Sequence, residues 1–241
     1  PTTPAAQKTT IVTGNLTDLT GISANAQHYI NMALNDLVSY FNEEGLISGV
    51  ELKVESYDTG FDPARDLPGY EWLRNRGADL ITTGVTSAPV TLKPTVDRDH
   101  VPLFSLSGNS QTLEPPGYVF ANATLPEHEA LTLLKWIAEN DWDYRTLGPA
   151  RLGCVGLAEP NEEAFISNAE AYAKAHPEQF EWVGKRLAPL DTFKWGPEVE
   201  ALRDCDYLYV PNPMINFVKE YRSAGYTATF LGGGPHVAFM Q

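Results

Sequence analysis

The stretch LITTGVTSAPVTLKPTVDRDHVPLFSLSGN, Leu80–Asn109, decides the fold, because it packs two strand ends and one helix start into thirty residues. A short apolar run, Leu80–Thr82, leads into a polar turn, Thr83–Ser87, and a helix opens at Pro89. A second apolar run, Val101–Leu106, ends in Ser107, Gly108 and Asn109. Proline suits the first helical turn because its missing N–H is one of the unpaired donors there, and Ser87 stands before it as a cap. The free N–H groups of that turn, with the Thr86 and Ser87 hydroxyls, make a cradle for an anion. In open α/β sheets ligands lie in the crevice beyond the carboxyl ends of the strands. A plainer reading stands beside this one: Thr86 and Ser87 cap a helix, and Ser107–Asn109 turn a loop.

The same rhythm extends in both directions. Thr9–Gly14 is a β-branched run ending in a turn-rich segment, and Gly21–Glu44 carries Ile22, Ala26, Tyr29, Ile30, Ala33, Leu34, Leu37, Val38 and Phe41 at helical spacing. That spacing predicts one helix with a single buried stripe, closed by Gly45. Val50–Tyr57 reads as a strand, Ala64–Arg76 as a helix, Asp79–Thr83 as the third strand, Pro89–Asp97 as the third helix and Val101–Leu106 as the fourth strand. After a short strand at Tyr118–Ala121, helices are expected at Leu125–Asn140, Asn161–Ala175, Gly196–Arg203 and Asn212–Ala224. Strands are expected between them at Arg151–Leu157, Phe180–Leu187, Asp206–Val210 and Thr227–Leu231. Strand–helix alternation predicts parallel doubly wound sheets. Two α/β lobes are expected, residues 1–121 and 122–241, with a ligand cleft between them.

Composition narrows the function. The chain has 241 residues, 43% apolar and 11% aromatic, ample for packed cores. Its 31 acidic residues outnumber 17 Lys and Arg for a net charge of -14, which argues against nucleic-acid partners and anionic membranes. No apolar run reaches the ~20 residues of a membrane span. Pro1–Lys8, PTTPAAQK, reads as a small tether, as in a mature secreted or lipid-anchored protein after signal cleavage, or in a trimmed cytosolic chain. Cys154 and Cys205 read as buried small hydrophobes, with a disulfide between them as the alternative. The five histidines lack metal-site spacing, so neither a metal nor a cofactor is implied. Asn15-Leu16-Thr17 and Asn122-Ala123-Thr124 match the glycosylation pattern, which is frequent by chance. No GxSxG elbow, HExxH pair or Walker loop supplies catalytic machinery, so no enzyme is expected.

Six stretches in register resemble a known family: GNLTDLTG (14–21), INMALNDL (30–37), SYDTGFDPARD (56–66), LITTGVTSAP (80–89), VPLFSLSGNS (101–110) and YVFANA (118–123). The family is the type I extracellular solute-binding proteins, the branched-chain amino acid binding proteins of ABC transporters and their relatives. The resemblance implies an α/β periplasmic-binding-protein type I fold: two Rossmann-like doubly wound lobes closing over a small solute in a central cleft, outside the cytoplasm, with an ABC permease as partner. It also implies that backbone amides and hydroxyls hold the solute's carboxylate. The matching positions here are Thr86 and Ser87, and Ser107, Gly108 and Asn109. The loop Leu16–Thr20, with Thr17, would add an edge of the pocket. A ligand-sensing ectodomain or regulator on the same two lobes is the alternative.

Three departures bear on the ligand. Amino-acid binders of the family commonly carry an acidic residue after the last strand seen here, to pair with the ammonium, and this chain has Gly232-Gly233-Gly234 there. An unpaired ammonium in a dry cleft is costly, so the expectation is a ligand with a carboxylate and no required amine, such as an aromatic or aliphatic organic acid. The aromatic–glycine pair of many relatives is replaced by Glu159-Pro160-Asn161-Glu162, where Asn161 is either a ligand contact or a helix cap; Asn212 invites the same two readings. Glu162 and Glu163 read as a solvated face. Relatives also run further and return to the first lobe, so the first lobe here is expected to expose apolar surface or pair with another chain.

Overall fold

A computed structural model of the chain describes residues 8–239. The tether expected over Pro1–Lys8 thus lies, except for Lys8, outside the described residues. The chain divides into two compact units, one ending at Ala123 and the other beginning at Thr124.

The first unit contains, in order, β1 (Thr9–Thr17), α1 (Ala24–Glu43), β2 (Val50–Asp58), a 3-10 turn (Pro63–Arg65), α2 (Asp66–Asn75), β3 (Ala78–Thr83), α3 (Ala88–Asp99), β4 (Leu103–Ser105), α4 (Ser110–Leu113) and β5 (Val119–Ala121). Its strands are all parallel in the order β2-β1-β3-β4-β5. This doubly wound order reverses direction between β1 and β3, the position where such sheets open a crevice. Leu16, Leu73, Ile81, Leu92 and Leu103, all without exposed surface, form the centre of its core.

Two expectations for this unit are corrected. β1 continues to Thr17, through the segment expected to turn, because the strand is central and Gly14 fits where a Cβ would lie 2.8 Å from Ile81 Cδ1. Asn15 is consequently buried and bonded to Asn31 and Ser56, which removes it as a glycosylation acceptor. The helix α1 does not bury its apolar stripe: Gln27 is its one buried residue, while Tyr29, Met32, Leu37 and Tyr40 are exposed. Ile30, Leu34, Val38 and Phe41 are half-buried, a contact narrower than the sequence pattern.

The second unit contains α5 (Pro126–Trp136) continuing into a π turn (Ile137–Asp141), α6 (Tyr144–Leu147), β6 (Ala150–Leu157), α7 (Pro160–Ala175), β7 (Phe180–Ala188), α8 (Gly196–Ala201), β8 (Tyr207–Tyr209), α9 (Ile215–Ser223), β9 (Thr229–Leu231) and a 3-10 turn (Gly234–Phe239). The sheet is again parallel, order β7-β6-β8-β9, and reverses between β6 and β8. Leu134, Leu152, Phe165, Ile166 and Tyr209 lie at its core, with the Phe165 and Tyr209 rings stacked at 4.1 Å between centroids. Cys154 and Cys205 are both buried and free, in keeping with their reading as small hydrophobes. The helix expected from Asn212 begins at Ile215, since Pro213 removes a backbone donor and biases the preceding residue toward an extended conformation. Among the described residues no helix is long and apolar enough to cross a membrane.

Candidate functional site

The carboxyl ends of β3 and β4 bring the first unit's polar residues together. Thr83 Oγ1 accepts the Val85 N–H at 3.0 Å and Ser105 Oγ accepts the Ser107 N–H at 3.2 Å, so each strand ends in a hydroxyl-braced turn. Ser87 occupies the position before α3, yet its side chain makes no capping bond. The hydroxyl oxygens of Thr82, Thr86, Ser87 and Ser107 are all buried with no hydrogen-bond partner among the described residues. An unpaired buried polar group costs about 1–3 kcal/mol, so four in adjacent segments require an explanation.

The neighbouring expected residues are otherwise engaged. Asn109 caps α4 in a reciprocal box: its Oδ1 accepts the Thr112 N–H at 3.2 Å, and Thr112 Oγ1 accepts the Asn109 N–H at 3.2 Å. Gly108 lies beside that box, where a Cβ would stand 3.2 Å from Thr112 Oγ1. Thr17 is fully buried at the end of β1, and its hydroxyl donates to Gln27 Oε1 at 3.3 Å. Gln27 also covers Gly84, whose Cβ would fall 2.5 Å from the amide nitrogen. Thr17, Gln27 and Gly84 therefore pack together where β1 and β3 end, at the sheet's reversal point. Sequence reading missed Gln27 because a polar residue within an apolar helical stripe gives no periodic signal.

Asp66 is the second feature the sequence did not reveal. The residue opens α2, has no exposed surface, and among the described residues neither carboxyl oxygen has a hydrogen-bond partner. Burial pushes its carboxyl up to about 6, opposed by the nearby Ser87 and Thr91 hydroxyls.

In the second unit the residues after β6 and β8 are tied to each other. Glu159, rather than Asn161, caps α7, accepting the N–H groups of Asn161 at 3.0 Å and Glu162 at 2.5 Å. Glu162 is buried and not on a solvated face: its carboxylate accepts the Leu157 N–H at 2.6 Å and the Asn212 N–H at 2.7 Å. Burial, reinforced by the Glu159 charge, holds the Glu162 carboxyl well above the usual range. Asn212 keeps a buried Oδ1 without a hydrogen-bond partner among the described residues. Asn161, in the first turn of α7, and Asn212, after β8, thus follow the two strands on either side of the second reversal point.

The glycine turn is not without an acid in space. Glu129, on α5, accepts the Gly234 N–H at 3.2 Å, and its flexible carboxylate would have to shift to admit a side chain on Gly233. His236 braces the same turn, with Nδ1 accepting the Gly233 N–H at 3.0 Å and Nε2 2.9 Å from the Val210 carbonyl. Burial pushes its imidazole down, and these two bonds define a neutral ring with the proton on Nε2. A recess of about 390 Å³ runs along Glu129, His128, Trp136 and the three glycines. The acid at this turn comes from a helix 105 positions away, so the turn's own residues carry no sign of it. Among the described residues no group of three His, Cys, Asp or Glu is placed to hold a metal.

Two parallel, doubly wound α/β units, each with polar strand ends at its reversal point, define a type I periplasmic-binding fold. The chain belongs to the periplasmic binding protein family, whose model matches residues 10–238. The fold is shared with a branched-chain amino acid ABC transporter protein from Thermus thermophilus with bound valine, at 19% identity and a TM-score of 0.81 over 97% of this chain. An extracellular ligand-binding receptor from Rhodopseudomonas palustris HaA2 is 15% identical with a TM-score of 0.77 over 92%. An R. palustris solute-binding protein in complex with benzoate is 13% identical with a TM-score of 0.79 over 95%. The chain spans 63%, 60% and 63% of the length of these three structures, respectively. No curated protein matches the sequence.

Proposed function

We propose that this chain captures a small carboxylate-bearing solute, an amino acid or organic acid, outside the cytoplasm for delivery to an ABC importer. The observation that carries this reading is the set of unpartnered buried hydroxyls of Thr86, Ser87 and Ser107 at two adjacent strand ends. None of the three makes a hydrogen bond among the described residues, and Thr86 and Ser87 stand at the amino end of a twelve-residue helix whose first N–H groups favour an anion. The solutes named with two structural neighbours, valine and benzoate, both carry a carboxylate. Ser107, with Thr86 and Ser87, takes the hydrogen-bonding role; Asn109 and Gly108 shape the turn after β4, Thr17 adds an edge of the pocket at the end of β1, and Asn161 and Asn212 are the contacts proposed in the second unit.

Glu129 alters the expectation about the amine. Its carboxylate stands at the glycine turn, so an ammonium there would meet a counter-charge. Amino acids therefore remain within the solute class alongside organic acids. A ligand-sensing role on the same fold is the second reading, favoured by the receptor among the neighbours.

A thermal-shift screen over monocarboxylates, amino acids and their amides tests the proposal. A ligand at a hundred times its Kd stabilises the native state by about 2.7 kcal/mol, enough for a clear rise in Tm. Shifts by acids and none by the matching amides support it; shifts only by uncharged solutes contradict it.

A further inference from the structure

The amino end of α3 adjoins a charge that an anion site would not be expected to hold. Asp66 is fully buried behind it, with two unpartnered carboxyl oxygens and the hydroxyls of Ser87 and Thr91 nearby. The Asp62 carboxylate, at the start of the preceding 3-10 turn, pushes the Asp66 carboxyl further up. Several ionic groups on the surrounding elements are engaged elsewhere. Arg65 lies over the Tyr57 ring at 5.6 Å and acts on Asp58, which accepts from Leu19, Gly60 and Thr20. Asp18 accepts from Gly21 and Ser23, Asp79 from Val12, and Lys93 of α3 donates to the Pro115 carbonyl.

The Ser87 hydroxyl has one proton to donate. A bound carboxylate and an ionised Asp66 would compete for it, setting two anions against one shared donor and leaving Asp66 with Thr91 alone. A proton on Asp66 resolves the conflict: its O–H donates to Ser87 Oγ, and the Ser87 O–H donates onward to the solute. We propose that carboxylate capture at the amino end of α3 is coupled to uptake of one solvent proton by Asp66. This rests on the carboxylate-binding function proposed above.

The direction of the pH dependence follows. Burial has already lifted the Asp66 carboxyl to about 6, and a second negative charge lifts it further. Well below that pH the acid is protonated with or without solute, and affinity is flat. Above it, binding must take up a proton, and Kd rises by up to about tenfold per pH unit.

Calorimetric titration of the chain with acetate, benzoate, L-valine and L-leucine tests the coupling, from about pH 5 to about pH 8 in buffers of differing ionisation enthalpy. The expected result is a Kd that rises above about pH 6, with a buffer-dependent heat reporting close to one proton taken up. Asp66→Asn should bind with a Kd that no longer varies with pH and with no buffer-dependent heat. Binding by the unsubstituted chain that is flat with pH and buffer overturns the coupling and leaves the carboxylate reading standing. Absence of binding by every probe at every pH overturns both. The buffer dependence of the unsubstituted chain decides the matter even if Asp66→Asn fails to fold.

Discussion

The Glu162 carboxylate lies across the reversal point of the second sheet, 2.6 Å from the Leu157 N–H at the end of β6 and 2.7 Å from the Asn212 N–H after β8. One buried side chain thereby fixes the spacing of the two strand ends. Glu162→Ala leaves both N–H groups without their acceptor, at about 1–3 kcal/mol each, and should lower the urea midpoint of the second unit. An unchanged midpoint would show that the bridge contributes nothing to the fold.

Asp66 is expected to make stability fall with rising pH. Its folded value is raised to about 6 from 3.8, so the folded state binds the proton more tightly than the unfolded state. The stabilisation is complete below the lower value and lost as pH rises through about 6. Asp66→Asn should flatten the stability profile across that interval and be at least as stable as the unsubstituted chain at neutral pH. A variant less stable at neutral pH, with the interval unchanged, would contradict the assignment.

Gly69 marks the tightest approach of α2 to the sheet. A Cβ there would lie 2.6 Å from both Leu16 Cδ1 and Tyr57 Cδ1. Gly69→Ala gains about 1 kcal/mol of helix propensity but overpacks a core where the misfit typically costs about 1–3 kcal/mol. Net destabilisation in thermal unfolding is expected; a stabilised variant would mean that the helix shifts freely.

The two thiols should be silent in the native state. Burial pushes the Cys205 thiol up to about 12, and the fully buried Cys154 thiol higher still. Thiol labelling should therefore be negligible without denaturant and reach both cysteines in urea. Rapid native labelling, or a count of fewer than two thiols after unfolding under non-reducing conditions, would contradict this.

Much of the architecture was legible because it rests on local signals. Alternating apolar strands and periodic helices, with Pro89 and Pro160 at helix starts, set the order of elements, and β3, α3 and α7 lie close to their expected limits. The strand ends at Thr86, Ser87 and Ser107 were legible for the same reason, as small polar residues punctuating apolar runs. What escaped depends on contacts distant in sequence. Glu162 looks like one of two surface acids until β8 places Asn212 above it. Glu129 looks like a helical surface charge until the glycine turn meets it from 105 positions away. The α1 stripe has the right period for a buried face, yet Tyr29, Met32, Leu37 and Tyr40 are exposed, since period specifies a face and not what covers it.

The central claim is that the hydroxyls at the ends of β3 and β4 hold a carboxylate. A crystal structure of the chain with the strongest carboxylate from the thermal-shift screen tests it most directly. The expected density places the carboxylate oxygens within hydrogen-bond distance of Ser87 Oγ, a hydroxyl of Thr86 or Ser107, and the first N–H groups of α3. Density placing the carboxylate away from these groups, with the three hydroxyls still unpaired, would contradict the account.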